Sequence, residues 1–192
     1  MEVYVNGQKQ PTEEFTQLSG QEVIQKIYER WPDHLIEEII YEDQEVPLIY
    51  FQEEVESASP ETEVEFILRK RGEVIKEELD RAEDYFPRLE ATIQEMCKFF
   101  AEEEKQKARS RYRSALEGME WMQSKLLRIV RMKEDRELKL AFQDDMREYH
   151  RAVKEALVAY QQERDGRLAQ LFENEILYYL KAMLKTAKEG EE

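Results

Sequence analysis

From Ile75 onward, apolar side chains recur at Leu79, Ala82, Phe86, Leu89, Ile93, Met96 and Phe100, in steps that alternate between four and three residues. Only a helix brings residues at that spacing onto one stripe, and such a stripe needs a partner helix to cover it. A second stripe, Ala108, Tyr112, Ala115, Met119, Met122, Leu126 and Ile129, keeps the rhythm but is displaced by one residue across the polar stretch Glu102 to Lys107. Leu138, Phe142, Met146, Tyr149, Val153, Ala156 and Tyr160 form a third, with an extra half-turn near Met146; Leu168, Phe172, Ile176, Tyr179 and Met183 form a fourth. The breaks near 104, 134 and 165 lie about 30 residues apart, which gives segments of similar length, as an antiparallel up-down-up-down bundle requires.

The break at 104 contains neither Gly nor Pro, and Glu102 to Lys107 are good helix formers. A long two-helix hairpin that turns near Glu134, with Asp165-Gly166 as a polar mid-point, therefore satisfies the same arithmetic. Such a hairpin would bury the same faces by forming a homodimer. The stripes widen at Phe99-Phe100, Trp121-Met122, Leu126-Leu127, Ile129-Val130 and Ile176 to Leu180, and faces that broad favour the bundle. Pro87, inside the first stripe, is expected to kink its helix.

The N-terminal part differs in kind. Residues 1 to 71 hold 17 acids and 6 bases, and four of the five prolines fall there. Val3 and Val5 alternate with Tyr4 and end at Asn6-Gly7, a dipeptide suited to a tight hairpin; the second strand is weak and limited by Pro11. Ser19 and Glu22 form a capping-box pattern ahead of Val23, Ile24, Ile27, Tyr28 and Trp31 on one helical face, and Pro32 stops the run. Leu35 to Tyr41 and Val46 to Phe51 read as strands, and Val64, Phe66 and Leu68 alternate after the polar loop Ser57 to Thr62. The order ββαβββ resembles a β-grasp, ubiquitin-like module. The expected fold class is thus α+β: a small β-grasp-like domain over 1–70, an antiparallel helical bundle or long hairpin over 72–188 with the boundary near Arg71-Gly72, and a disordered acidic tail at 189–192.

Forty-four acids against 29 bases give a formal charge of −15, which repels nucleic-acid phosphate and anionic membranes. The longest apolar run, Ile176 to Leu180, is far short of the roughly 20 residues a membrane helix needs, and no basic-then-apolar leader opens the chain. A soluble, cytoplasmic protein without an internal disulfide is expected, since Cys97 is the single cysteine.

Groups suited to chemistry are sparse. His34 sits in a helix-to-strand connection, and His150 has Arg147 three residues before it, so the Glu-x-x-His pairs of di-metal bundles are missing. Cys97 beside Met96 reads as a buried, inert thiol without a neighbouring base. No glycine-rich phosphate loop occurs. Glu77 and Glu78 with Arg81, and Asp144 and Asp145 with Glu148, read as ion-laced solvent faces. No cofactor, metal or catalytic residue is expected, and the chain reads as a non-enzymatic interaction module.

Its long heptad helices resemble bacterial adaptor proteins and flagellar or type III export chaperones, which implies a partner protein held through a helix. Two surfaces are candidates for that partner. Leu177, Leu180 and Leu184 lie beside the seam of the last helix and are candidates for an exposed docking ridge, the competing reading being that two neighbouring helices of the chain bury them too. Glu37, Glu38, Glu42 and Asp43, continued by Glu45, Glu53, Glu54 and Glu56, are candidates for a face that binds a basic protein. The alternative is a nucleic-acid or ribosome-associated factor. It would use the basic turn of Arg128, Arg131, Lys133, Arg136 and Lys139, with Lys105, Lys107, Arg109, Arg111 and Arg113 scattered around the preceding helix.

Overall fold

The computed structural model describes residues 1–55 and 62–189. Most of the expected polar loop Ser57 to Thr62, Glu56, and the tail beyond Glu189 lie outside the described residues. The chain divides into two compact units, Met1–Val74 and Ile75 onward.

In the first unit, β1 (Glu2–Val5) turns through Asn6 and Gly7, both at positive φ (47° and 77°), into β2 (Gln8–Lys9). The Asn6 side chain donates to the Leu68 carbonyl (3.1 Å) and accepts from the Leu68 amide (2.8 Å), so the turn itself is tied to the last strand. Helix α1 (Gly20–Arg30) starts as its capping box requires. Ser19 Oγ accepts from the Glu22 amide, and the Glu22 carboxylate accepts from the Ser19 amide at 2.8 Å. Strand β3 (His34–Tyr41) turns at Glu42 and Asp43 (φ 50° and 61°) into β4 (Gln44–Glu45), and β5 is Glu63–Lys70. The sheet order is β2-β1-β5-β3-β4; the central β1 and β5 run parallel and every other neighbouring pair runs antiparallel. That is the β-grasp arrangement, with Val23, Ile24 and Ile27 of α1 packed in one cluster with Val3, Ile39, Phe66 and the other inward residues of the sheet.

The reading of Val46 to Phe51 as a strand needs correction. Strand β4 ends at Glu45, with one further backbone bond from the Val46 amide to the Ile39 carbonyl (2.9 Å), and Leu48–Glu54 is a short helix, α2. Pro47 has no amide hydrogen to extend the ladder, and its own extended conformation (φ −61°, ψ 146°) serves as the residue before the first helical turn.

The second unit consists of α3 (Arg71–Ala101) from Ile75 onward, which runs through Pro87, α4 (Lys105–Met132), α5 (Arg136–Gln161) and a last helix. That last helix is α6 (Asp165–Leu171), a π-helical turn (Phe172–Ile176) and α7 (Leu177–Lys188) in unbroken succession. Cross-contacts order them as a ring. Glu95 of α3 meets Arg111 of α4 (2.8 Å), Tyr112 of α4 stacks on Tyr160 of α5 (4.4 Å), and Arg151 of α5 bonds Glu175 of the π turn (3.1 Å). The ring closes where Cys97 of α3 donates to the Ala169 carbonyl of α6 (3.7 Å). Each pair is antiparallel, so the bundle forms and the long hairpin does not.

The turn at 104 is made without Gly or Pro. Glu103 takes a left-handed conformation (φ 58°), its amide donates to the Phe100 carbonyl, and the Glu104 amide donates to the Phe99 carbonyl. This is the Schellman pattern. The turn after α5 repeats it, with Glu163 at φ 54° and bonds from Glu163 to Tyr160 and from Arg164 to Ala159.

Leu177, Leu180 and Leu184 are buried in the bundle core, which corrects the expectation of an exposed ridge. Two successive four-residue steps, from Leu168 to Phe172 to Ile176, overrun a heptad by one residue, and the π turn absorbs the excess. Beyond it the core face is Ile176, Leu177, Leu180, Met183, Leu184 and Ala187, wide enough to meet α3, α4 and α5 together; Tyr178, 64% exposed, points to solvent instead.

Two outcomes test this packing. Leu180→Ala should lower the unfolding free energy by about 2–5 kcal/mol through lost burial and the cavity left behind, read from urea titration of Trp121 fluorescence in a Trp31→Phe background. Glu103→Gly and Glu163→Gly should each raise it by about 0.5–1 kcal/mol, since glycine enters the left-handed region without a Cβ clash.

Candidate functional site

The bundle uses most of its notable polar groups internally. Glu78, expected on a solvent face, is buried between α3 and α4, with Lys125 Nζ at 2.7 Å, Arg128 at 3.5 Å and Arg81 at 3.8 Å. The Lys125 ammonium also lies 5.7 Å from the Trp121 ring, which packs on Tyr85. Lys133 Nζ donates to the Ala187 and Glu189 carbonyls at the end of α7 (2.6 and 2.8 Å), neutralising that helix terminus. Two of the five cations of the basic turn, Arg128 and Lys133, are thereby engaged within the fold. Lys107 and Arg111 pair with Glu104 and Glu95, while Lys105 and Arg109 line a 220 Å³ cleft that also holds Glu163 and Asp165.

Cys97 is buried, and desolvation, with the Glu173 carboxylate second, pushes its thiol up to about 12, so it stays protonated near neutrality. His150 Nε2 lies 3.1 Å from Gln123 Nε2 on the α4–α5 seam. His34 is half-buried, and its backbone amide donates to the Trp31 carbonyl. Asp144 pairs with Arg147, and Glu148 with Arg151. Asp145 is desolvated, which raises its pKa, although a hydrogen bond from Thr186 opposes the shift. Among the described residues no helix is long and apolar enough to cross a membrane.

The first unit carries a different kind of surface. Residues 31 to 68 contain 12 acids and no Lys or Arg. The unit's basic residues are engaged elsewhere: Lys9 with Glu2, Lys26 with the Glu14 carbonyl, Arg30 with Glu14, Arg69 with Glu37, Lys70 with Glu73, and Arg71 with the Pro32 carbonyl. Glu37 is therefore paired across to β5. Glu38 is exposed beyond the irregularity in β3 between Ile36 and Glu38, and Glu42 and Asp43 form the β3–β4 turn. Glu42, Asp43, Glu45 and Glu53 are exposed and have no ion pair among the described residues.

Helix α2 follows this acidic turn directly and was missed in the sequence. Leu48, Ile49 and Tyr50 are 39%, 58% and 47% exposed, three consecutive apolar side chains turned to solvent. Phe51, the next residue, is fully buried, edge-on to Phe66 (5.4 Å) and Tyr41 (5.7 Å). The helix is seated by Gly20. Its amide donates to the Val55 carbonyl (2.7 Å), and a Cβ there would come 1.8 Å from the Phe51 carbonyl oxygen. The signal available in the sequence was Pro47 ahead of an apolar run that does not alternate.

The fold is thus that of a two-unit protein, a β-grasp module with three successive exposed apolar residues at the β4–α2 edge and a four-helix bundle that exposes Leu116, Leu140, Leu157, Val158 and Tyr178 on three of its helices. Residues 77–186, more than half of the chain, match the family described as Domain of unknown function (DUF8042), and the chain belongs to that family. The matched stretch lies within the bundle and leaves the β4–α2 edge outside it. No curated protein and no solved structure matches the chain.

Gly20→Ala should destabilise the first unit by about 2–3 kcal/mol, because the oxygen facing the new methyl is backbone and cannot swing away. In the full chain, the Trp31 transition should shift to lower urea while the Trp121 transition, followed in a Trp31→Phe background, stays in place.

Proposed function

We propose that the protein is a non-enzymatic interaction module of the cytoplasm, an adaptor that receives another protein on the β4–α2 edge of its β-grasp unit. The observation that supports this reading is the ridge Leu48–Ile49–Tyr50. Single exposed apolar residues are ordinary on a protein surface, but three in succession on one short helix leave apolar area whose burial yields roughly 1 kcal/mol per aliphatic side chain, since about half of each is already covered. Tyrosine at the end of the ridge adds a residue type enriched where interfaces hold most tightly. The bundle supplies a rigid carrier, its last helix consumed by internal packing rather than by docking.

A photo-reactive benzoylphenylalanine placed at Ile49 of the full chain tests the reading, with the exposed bundle position Tyr178 as control. The expected result is a discrete covalent adduct with a second protein from Ile49, lost on Leu48→Ser with Tyr50→Ser and absent from Tyr178. Adducts from Tyr178 alone would move the binding surface to the bundle, and none from either position would overturn the reading.

A further inference from the structure

Resting on the interaction reading of the β4–α2 edge, we infer that its partner is a cationic amphipathic protein segment, with apolar anchors that cover Leu48, Ile49 and Tyr50 and Lys or Arg side chains that meet Glu42, Asp43, Glu45 and Glu53. Charge complementarity beside an apolar patch selects that partner. Those four carboxylates stand in the turn and strand just before the ridge and in the helical turn that ends it. Among the described residues, each basic side chain of the unit has another partner and none pairs with these four carboxylates. An apolar ridge rimmed by uncompensated acids attracts a segment that is apolar and basic together, and raises the cost of every competing occupant.

A second copy of this chain would bring two such acidic rims together, which like-charge repulsion opposes. Nucleic acid and anionic bilayers meet the same repulsion. A neutral apolar segment would cover the ridge but leave the four carboxylates partly desolvated without partners, a cost that a basic segment turns into attraction. Binding through these carboxylates carries an ionic-strength dependence that a purely apolar contact lacks.

The test uses the full chain and three fluorescein-labelled peptides of about 18 residues, long enough for five helical turns. One is a Leu/Lys amphipathic helix, the second has the same composition scrambled to break its apolar face, and the third replaces Lys by Glu. Fluorescence anisotropy should show saturable binding of the first, about tenfold weaker binding of the second, and none of the third. Affinity for the first should fall about tenfold or more on Ile49→Ser, on the combined Glu42→Gln, Asp43→Asn, Glu45→Gln and Glu53→Gln variant, and on raising the salt from 0.05 to 0.3 M. The same number of charges removed from exposed bundle acids, Asp80→Asn, Asp84→Asn, Glu117→Gln and Glu120→Gln, should change it by less than about threefold. Equal loss in both sets would show attraction to net charge alone, and no loss in the edge variants would place the peptide elsewhere; either overturns the inference. So does saturable self-association at the edge, or preference for vesicles of neutral lipid over the Leu/Lys peptide. An adduct from Ile49 with no binding of the Leu/Lys peptide would leave the interaction reading standing and remove only the basic partner.

Discussion

At the start of α1 no side chain larger than a hydrogen fits at position 20, because the Phe51 carbonyl oxygen occupies the space where a Cβ would stand. The outward face of the β-grasp unit depends on that contact. With Gly20 beneath it and its amide bonded to Val55, α2 lies close enough to α1 for Phe51 to reach the core against Phe66 and Tyr41. Burying Phe51 fixes the rotation of a seven-residue helix that has too few turns to hold itself. Leu48, Ile49 and Tyr50 are then left in solvent, beside a turn whose carboxylates the unit does not neutralise.

The bundle distributes its polar groups in the opposite way. Glu78 draws Lys125, Arg128 and Arg81 toward one buried carboxylate, and Lys133 closes the end of α7. Lys125, Arg128, Arg81 and Lys133 are thus engaged within the scaffold. Its aromatic residues behave likewise, with Tyr112, Tyr160 and Phe172 stacked edge and face at one end. The division of labour proposed above, an edge that binds and a bundle that carries, rests on the apolar run of α2 beside the acidic turn.

Much of the architecture was legible because it rests on local rules. The first two heptad stripes are buried at every position read for them, from Ile75 to Phe100 and from Ala108 to Ile129. Asn6-Gly7 and the Ser19–Glu22 box each form as their chemistry predicts. The acids of the candidate face were also visible, though not that Glu37 would be paired with Arg69 while Glu42 and Asp43 stood in a turn. The ridge on α2 was not read, since an apolar run of that length fits a strand or a helix and only its neighbours decide. Leu177, Leu180 and Leu184 fit either a core shared with neighbouring helices or an exposed ridge, and only the packing of the bundle decides that they are buried.

By itself, the sequence determined the two periods, the order of elements, the acidity of the first unit and the lengths that make four helices equal partners. Those properties are set by spacing and charge, which need no contact between distant residues. Tertiary structure alone decided that Glu103 and Glu163 would reverse the chain in left-handed conformations despite their Cβ atoms, because the helices on either side bury enough apolar surface to offset the strain. It also decided the π turn, which exists to keep α7 in phase with its neighbours, and the outward face of α2, which exists because one glycine lets a backbone oxygen approach. Each depends on what lies across the core, and a linear pattern of residue types does not contain that information.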